Sequence, residues 1–259
     1  MKTDEQRRRN LFLFMGAFFL CNALIAEFIG VKIFSAEASI GIEPMNFKIL
    51  GQELNFNMTA GVLLWPVVFV MTDLINEYFG QKGVRYFSFM TAGLIAYAFL
   101  MVSLAIWTSP ADFWKIKQLE NGTLDMNAAY NSVFGQGLWI IIGSLVAFLI
   151  GQVVDVMVFH ALKRKTGEKS IWLRATGSTL VSQIIDSFVV LYIAFYIGKL
   201  NTPDQWPISL VLGVCVVNYI YKGAMAILLT PALYIAHYFI DRYLGIELSE
   251  KMRAEAMEN

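Results

Sequence analysis

The sequence is poor in the groups on which most soluble chemistry depends. Its 259 residues include 2 cysteines and 2 histidines. Cys21 and Cys215 stand far apart in apolar surroundings, and neither has a CxxC companion, so a disulfide framework is not indicated. No His/Cys cluster has the spacing of a metal site. The motifs HExxH, GxSxG and GxGD and the P-loop are all missing. Zinc hydrolysis, a nucleophile elbow, intramembrane aspartyl proteolysis and ATP hydrolysis by this chain therefore lack recognisable machinery. Charge is scarce as well: 15% of residues are charged, where a soluble globular chain carries about 25%. Twenty basic residues balance twenty acidic ones. With no net excess, nothing would steer the chain to nucleic acid.

What is present in abundance is apolar surface, 57% of residues. It is gathered into six long runs at 11–34, 58–79, 84–108, 136–161, 177–198 and 208–240. Each reaches the roughly 20 residues that cross a hydrocarbon core of about 30 Å. In lipid every backbone N–H and C=O needs an internal partner, so a span is a helix or part of a closed barrel. Barrel strands alternate over about 10 residues, whereas these runs are longer and apolar on nearly every face. The expected fold is an all-α integral membrane protein with six transmembrane helices. A basic segment 1–10 precedes a single transmembrane domain, 11–240, and a tail, 241–259, follows it.

Lysine and arginine set the orientation. Lys2, Arg7, Arg8 and Arg9 precede the first run, Lys82 and Arg85 follow the second, and Lys163, Arg164, Lys165, Lys169 and Arg174 follow the fourth. Arg242, Lys251 and Arg253 follow the sixth. The opposite side holds Lys48, Lys115, Lys117 and Lys199. Both termini are expected in the cytoplasm. On the outer side, the alternating arms around Gly51–Gln52 predict a short hairpin, and DMNAAYNSVFG within 109–135 predicts a surface helix. Asn-x-Thr triplets at Asn57 and Asn121 face the same side. Pro66 and Pro231 are expected to kink the second and sixth spans.

Two bases remain, Lys32 and Lys222, and five acids lie in or near the runs: Glu27, Asp73, Glu77, Asp155 and Asp186. A charge at the bilayer centre costs about 2.5–3.5 kcal/mol on insertion scales, so these groups should face the bundle interior and pair. Asp73, Asn76 and Glu77 share one helical face. Gln152 and Asp155 are three apart, behind Gly151. Ser178, Ser182 and Asp186 recur at steps of four, with Thr179 and Gln183 on the adjoining row, and Asn218 and Lys222 are one turn apart. Four helices thus each offer a polar stripe, as a central hydrophilic cavity requires. Plainer roles compete at several positions: an interfacial place for Asp73 and Glu77 near Lys82 and Arg85, interhelical hydrogen bonding for the serines, and interfacial places for His160 and His237.

DLINEYFG at 73–80, GQVVDVMVFHALKRKTG at 151–167, WLRATGSTLVSQIIDS at 172–187, and NYIYK with a later TP resemble, in matching order, the bacterial queuosine-precursor transporter family of the vitamin-uptake transporter group. The resemblance runs from about residue 60 to 235. In span one Asn22 is the position that fits. It implies an inner-membrane transporter, without cofactor, that imports 7-cyano-7-deazaguanine or 7-aminomethyl-7-deazaguanine for queuosine in transfer RNA. Its partners would be a small deazapurine and membrane lipid, with self-association left open. On this reading the substrate-binding residues are Asp155, Asp186, Gln152, Gln183, Asn218, Lys222, Ser178, Asp73 and Glu77. Asp155 and Asp186 line the cavity, one reading the guanine-like edge and the other pairing with Lys222. Trp65, Phe188 and Tyr219 are available as an aromatic wall. Two alternatives stay open: a substrate-binding subunit of an energy-coupling-factor importer, and an intramembrane enzyme acting on a lipid or nucleobase.

Overall fold

In a computed structural model, residues 3–120, 122–135, 138–166, 171–203 and 205–258 are described. Lys2, Lys169 and Asn121 lie outside them. The helices are α1 (Asp4–Ile29), α2 (Ala36–Ser39), α3 (Trp65–Trp107), α4 (Asp112–Lys115), α5 (Met126–Phe134), α6 (Leu138–Thr166), α7 (Ile171–Leu191), α8 (Ile208–Leu228), α9 (Thr230–Leu244) and α10 (Ile246–Glu258). Three short antiparallel pairs decorate one end of the bundle: β1 (Ile33–Ser35) with β4 (Asn57–Thr59), β2 (Phe47–Ile49) with β3 (Gln52–Leu54), and β5 (Ile116–Leu119) with β6 (Gly122–Asp125). Five helical stretches are long and apolar enough to cross a membrane. Large apolar side chains such as Phe14, Phe89, Leu100 and Ile227 point outward. Patches of that kind are a liability in water and suit lipid. The chain is an all-helical, multi-pass membrane protein.

The second and third runs form one helix of 43 residues, about 65 Å if straight and twice a hydrocarbon core. It is not straight. Gly80 has φ 68° and ψ −171°, a conformation glycine tolerates. Gln152 Oε1 accepts from Thr72 Oγ1 at 3.1 Å and from Ser88 Oγ at 3.4 Å. Those donors are sixteen residues apart, about 24 Å along a straight helix, so the chain turns back on itself at Gly80. The Ala256 carbonyl lies where a Cβ on Gly80 would sit, at 2.9 Å.

The prolines do not kink spans. Pro66 and Pro231 stand in the first turn of α3 and α9, where an N–H has no helical acceptor to lose. The sixth run therefore divides into α8 and α9 at Thr230. The basic N-terminal segment is the first turns of α1, capped by a reciprocal Thr3–Gln6 pair, and the C-terminal tail folds as the end of α9 and α10. Arg7 Nη1 donates to the Leu244 carbonyl at 2.9 Å, and Arg8 bonds Glu255 at 2.7 Å. Both terminal segments thus meet at one end of the bundle. At the other end, the expected hairpin around Gly51 forms, with Leu50 and Gly51 both at positive φ, and α5 covers the predicted surface helix. Leu54 of that hairpin rests on Gly213 of α8. Lys32 lies beyond the end of α1 and is exposed.

Candidate functional site

The polar residues fall into three groups, divided by which face of each helix carries them. The first joins α3 to its neighbours near the end that holds the termini. Three consecutive residues each take a different partner. Asn76 Oδ1 meets His160 Nε2 at 2.8 Å, Glu77 meets Lys163 Nζ at 3.1 Å, and Tyr78 Oη meets His237 Nδ1 at 2.9 Å and Asp241 at 2.8 Å. Ser249 of α10 bonds the same Asp241. Glu77 and Lys163 are each 1% exposed in their side chains. Lys163, read from the sequence as a solvated orientation signal, is a buried ion-pair partner. Glu77 is not interfacial, and His160 and His237 are buried.

The second group lies along the α6–α7 contact. Ser182 Oγ donates to Asp155 Oδ1 at 3.2 Å, and Asp155 is fully enclosed. Ser178, on the same row, bonds back to the Ala175 carbonyl. Lys222 of α8 reaches Asp186 at 2.6 Å and Ser187 at 3.2 Å. The Asp186 side chain stands over Gly151, 3.5 Å from where a Cβ would be. Gln152 faces a small separate cavity shared with Ser88 and Arg85.

The third group is a cleft between α3, α7 and the α8–α9 junction. Its polar lining is Asp73, Thr176, Thr179, Gln183, Lys222 and Thr230, with Trp65 and Phe69 among its apolar walls. Trp65 is backed by Phe148, ring centroids 5.5 Å apart. The Gln183 amide is 1% exposed, and neither its oxygen nor its nitrogen has a partner among the described residues. A buried amide left open on both sides costs about 1–3 kcal/mol per group, and such groups call for an explanation. The cleft has a volume of about 440 Å³, its open mouth included.

Of the residues expected to bind substrate, Asp73, Gln183 and Lys222 are gathered on this cleft. Asp155 and Asp186, expected to line a cavity, do not border it: the first is shut into the α6–α7 contact and the second is turned to Lys222. Ser178, Gln152, Glu77 and Asn218 also lie off its lining. Asn22 bonds the Phe18 carbonyl within α1. Phe188 stacks along Tyr192, and Tyr219 is not on the cleft wall. Sequence reasoning passed over Thr176, Phe69 and Thr230. Thr176 was within reach, since Thr176, Thr179 and Gln183 repeat at i, i+3 and i+7 on one face of α7.

Long apolar helices with an apolar exterior define a multi-pass membrane protein. The family described as "putative vitamin uptake transporter" matches residues 59–236, and the chain belongs to that family. It is similar to the "Queuosine precursor transporter" of Escherichia coli (strain K12), 27% identical over 183 residues, 70% of this chain and 73% of the relative. Proteins named "Probable queuosine precursor transporter" match at 28% identity in Bacillus subtilis (strain 168), over 74% of this chain and 77% of the relative, and in Haemophilus influenzae, over 78% of each. No solved structure matches the chain.

Proposed function

We propose that this chain imports a queuosine precursor, 7-cyano-7-deazaguanine or 7-aminomethyl-7-deazaguanine, across the bacterial inner membrane. Its six crossings are α1, the two arms of α3 on either side of Gly80, α6, α7 and α8, with both termini in the cytoplasm. The meeting of the two terminal segments at one end supports an even number of crossings, and the lysines and arginines clustered in sequence around that end support its cytoplasmic side. Membership of a transporter family and the names of the relatives support the cargo.

One observation carries the assignment to the cleft: Gln183 presents a buried donor and a buried acceptor with no protein partner, beside the Asp73 carboxylate and an aromatic wall. A deazaguanine edge offers ring N1–H and an exocyclic amine as adjacent donors, which one carboxylate accepts in bidentate fashion. Asp73 takes that role. The base carbonyl accepts from the Gln183 amide or from Lys222, whose charge Asp186 balances. Trp65 and Phe69 take the flat ring. Loading and release require the walls of the cleft to part around the base. Leu229 and Thr230, which end α8 and begin α9, form one wall, and the joint between those helices is where it yields.

The test is uptake of each deazapurine, detected by mass, into cells that make no precursor of their own. With the chain present, precursor should accumulate and queuosine should return to transfer RNA. Equal uptake with and without the chain would sink the proposal.

A further inference from the structure

A carboxyl group in the bundle core, away from the cleft, has no basic partner among the described residues. Asp155 of α6 is 0% exposed. Its Oδ1 accepts from Ser182 and the Ser178 hydroxyl lies beside it, but no basic group among the described residues reaches it. The charged groups around it are committed elsewhere. On α6 itself Lys163 pairs with Glu77, and His160 bonds Asn76. On α7, Asp186 faces Lys222 of α8. Helix α3 presents the acids Asp73 and Glu77. Arg85, beside Gln152, is exposed and makes no ion pair with Asp155 among the described residues. Glu27 of α1 takes the Ser144 hydroxyl.

A carboxylate enclosed without a cation is expensive, and binding a proton removes the expense. We propose that Asp155 is an exchangeable proton site and that uptake is coupled to proton entry through it. This rests on the transport reading above. The link to the cleft runs along α7, where adjacent residues serve the two sites: Ser182 holds Asp155, and Gln183 faces the cargo. A base seated against Gln183 as the α8–α9 wall closes displaces Gln183 and, with it, its neighbour Ser182 on α7. Asp155 then meets a new environment, gives its proton to the cytoplasmic side, and takes another from outside as the empty protein returns. Each cycle moves one proton inward with one base, so one net charge crosses when the base is the neutral 7-cyano form.

Two measurements test this, one independent of any cargo. In lipid vesicles at neutral pH, infrared difference spectra of wild type against Asp155→Asn should show the carbonyl stretch of a protonated carboxylic acid, present in the wild type alone. Spectra without that band would overturn the proton site. In transport, one proton per base predicts about tenfold accumulation for an outside-acid gradient of one pH unit. Uptake should turn the outer medium alkaline. Asp155→Asn should equilibrate substrate across the vesicle without concentrating it, and Asp155→Glu should recover part of the gradient-driven uptake. Accumulation that follows sodium, or that Asp155→Asn retains, would overturn the coupling. Wild-type vesicles that move no deazapurine would remove the cargo assignment, and the infrared band would still decide the proton site.

Discussion

Two buried polar regions of this bundle sit one helical turn apart on α3, and they differ in how far protein partners satisfy them. Near the end that holds the termini, Asn76, Glu77 and Tyr78 reach partners on α6 and α9, and α10 adds Ser249 to the cluster. At Asp73 the same helix opens on a cleft where the Gln183 amide has no protein partner. Closed networks specify how helices pack, while open ones cost stability that the protein recovers when a ligand arrives. On the proposed reading, the difference separates residues that hold the bundle from residues that bind cargo.

The strongest way to break that division is at the ion pair. Glu77→Gln leaves Lys163 enclosed without its carboxylate, which should cost about 3–5 kcal/mol. Thermal unfolding of the purified protein reads the loss directly. Removing both charges, as Glu77→Gln with Lys163→Met, should return most of it, because the buried ammonium goes too. A single variant as stable as wild type would erase the structural half of the comparison.

The cleft should answer the other way round. Asp73→Asn removes a charge-assisted contact of about 1.5–3 kcal/mol, or roughly 10- to 150-fold in the concentration needed for half-maximal uptake. Gln183→Leu should weaken uptake less, by about 3- to 10-fold, and leave the unfolding temperature the same or higher, since it deletes two open polar groups. If either variant unfolds as readily as Glu77→Gln, the cleft is scaffold and the substrate reading is lost.

The sequence could be read for architecture because lipid leaves few solutions: apolar runs of that length have to be helices, and the polar positions on them have to face inward. It could also be read for partners where spacing suffices. Lys222 had two candidate acids, and it takes Asp186. What spacing cannot supply is the rotation of a helix about its axis. Helix α7 carries two polar rows, and nothing local says that the Ser182 row meets α6 while the Gln183 row meets the cleft. Lys163 was hidden for a similar reason. It sits in a basic run with Arg164 and Lys165, both exposed, and only the docking of α6 on α3 turns it inward to Glu77. The reversal at Gly80 was legible as a boundary between runs, but the continuation of helix on either side of a single residue was not.

The smallest expected effect lies outside the membrane segments and tests whether closed networks behave alike there. Glu37, buried in the connection between α1 and α3, accepts the Phe56 N–H at 2.9 Å and the Ser35 hydroxyl at 3.1 Å. Burial alone would raise its carboxyl, but these and further backbone hydrogen bonds outweigh it and hold it below the ordinary value of 4.5. Because the folded group titrates lower than the unfolded one, its stabilisation is complete above the ordinary value and is lost as pH falls through the lowered one. Below about pH 4.5 the segment 33–59 should thus lose amide protection, measured as exchange relative to the intrinsic rate at each pH, while the helices keep theirs. Glu37→Gln, which still accepts hydrogen bonds but carries no charge, should flatten that pH dependence. An unchanged profile in the variant would mean that another group controls the connection, and that its network differs in kind from the one at Glu77.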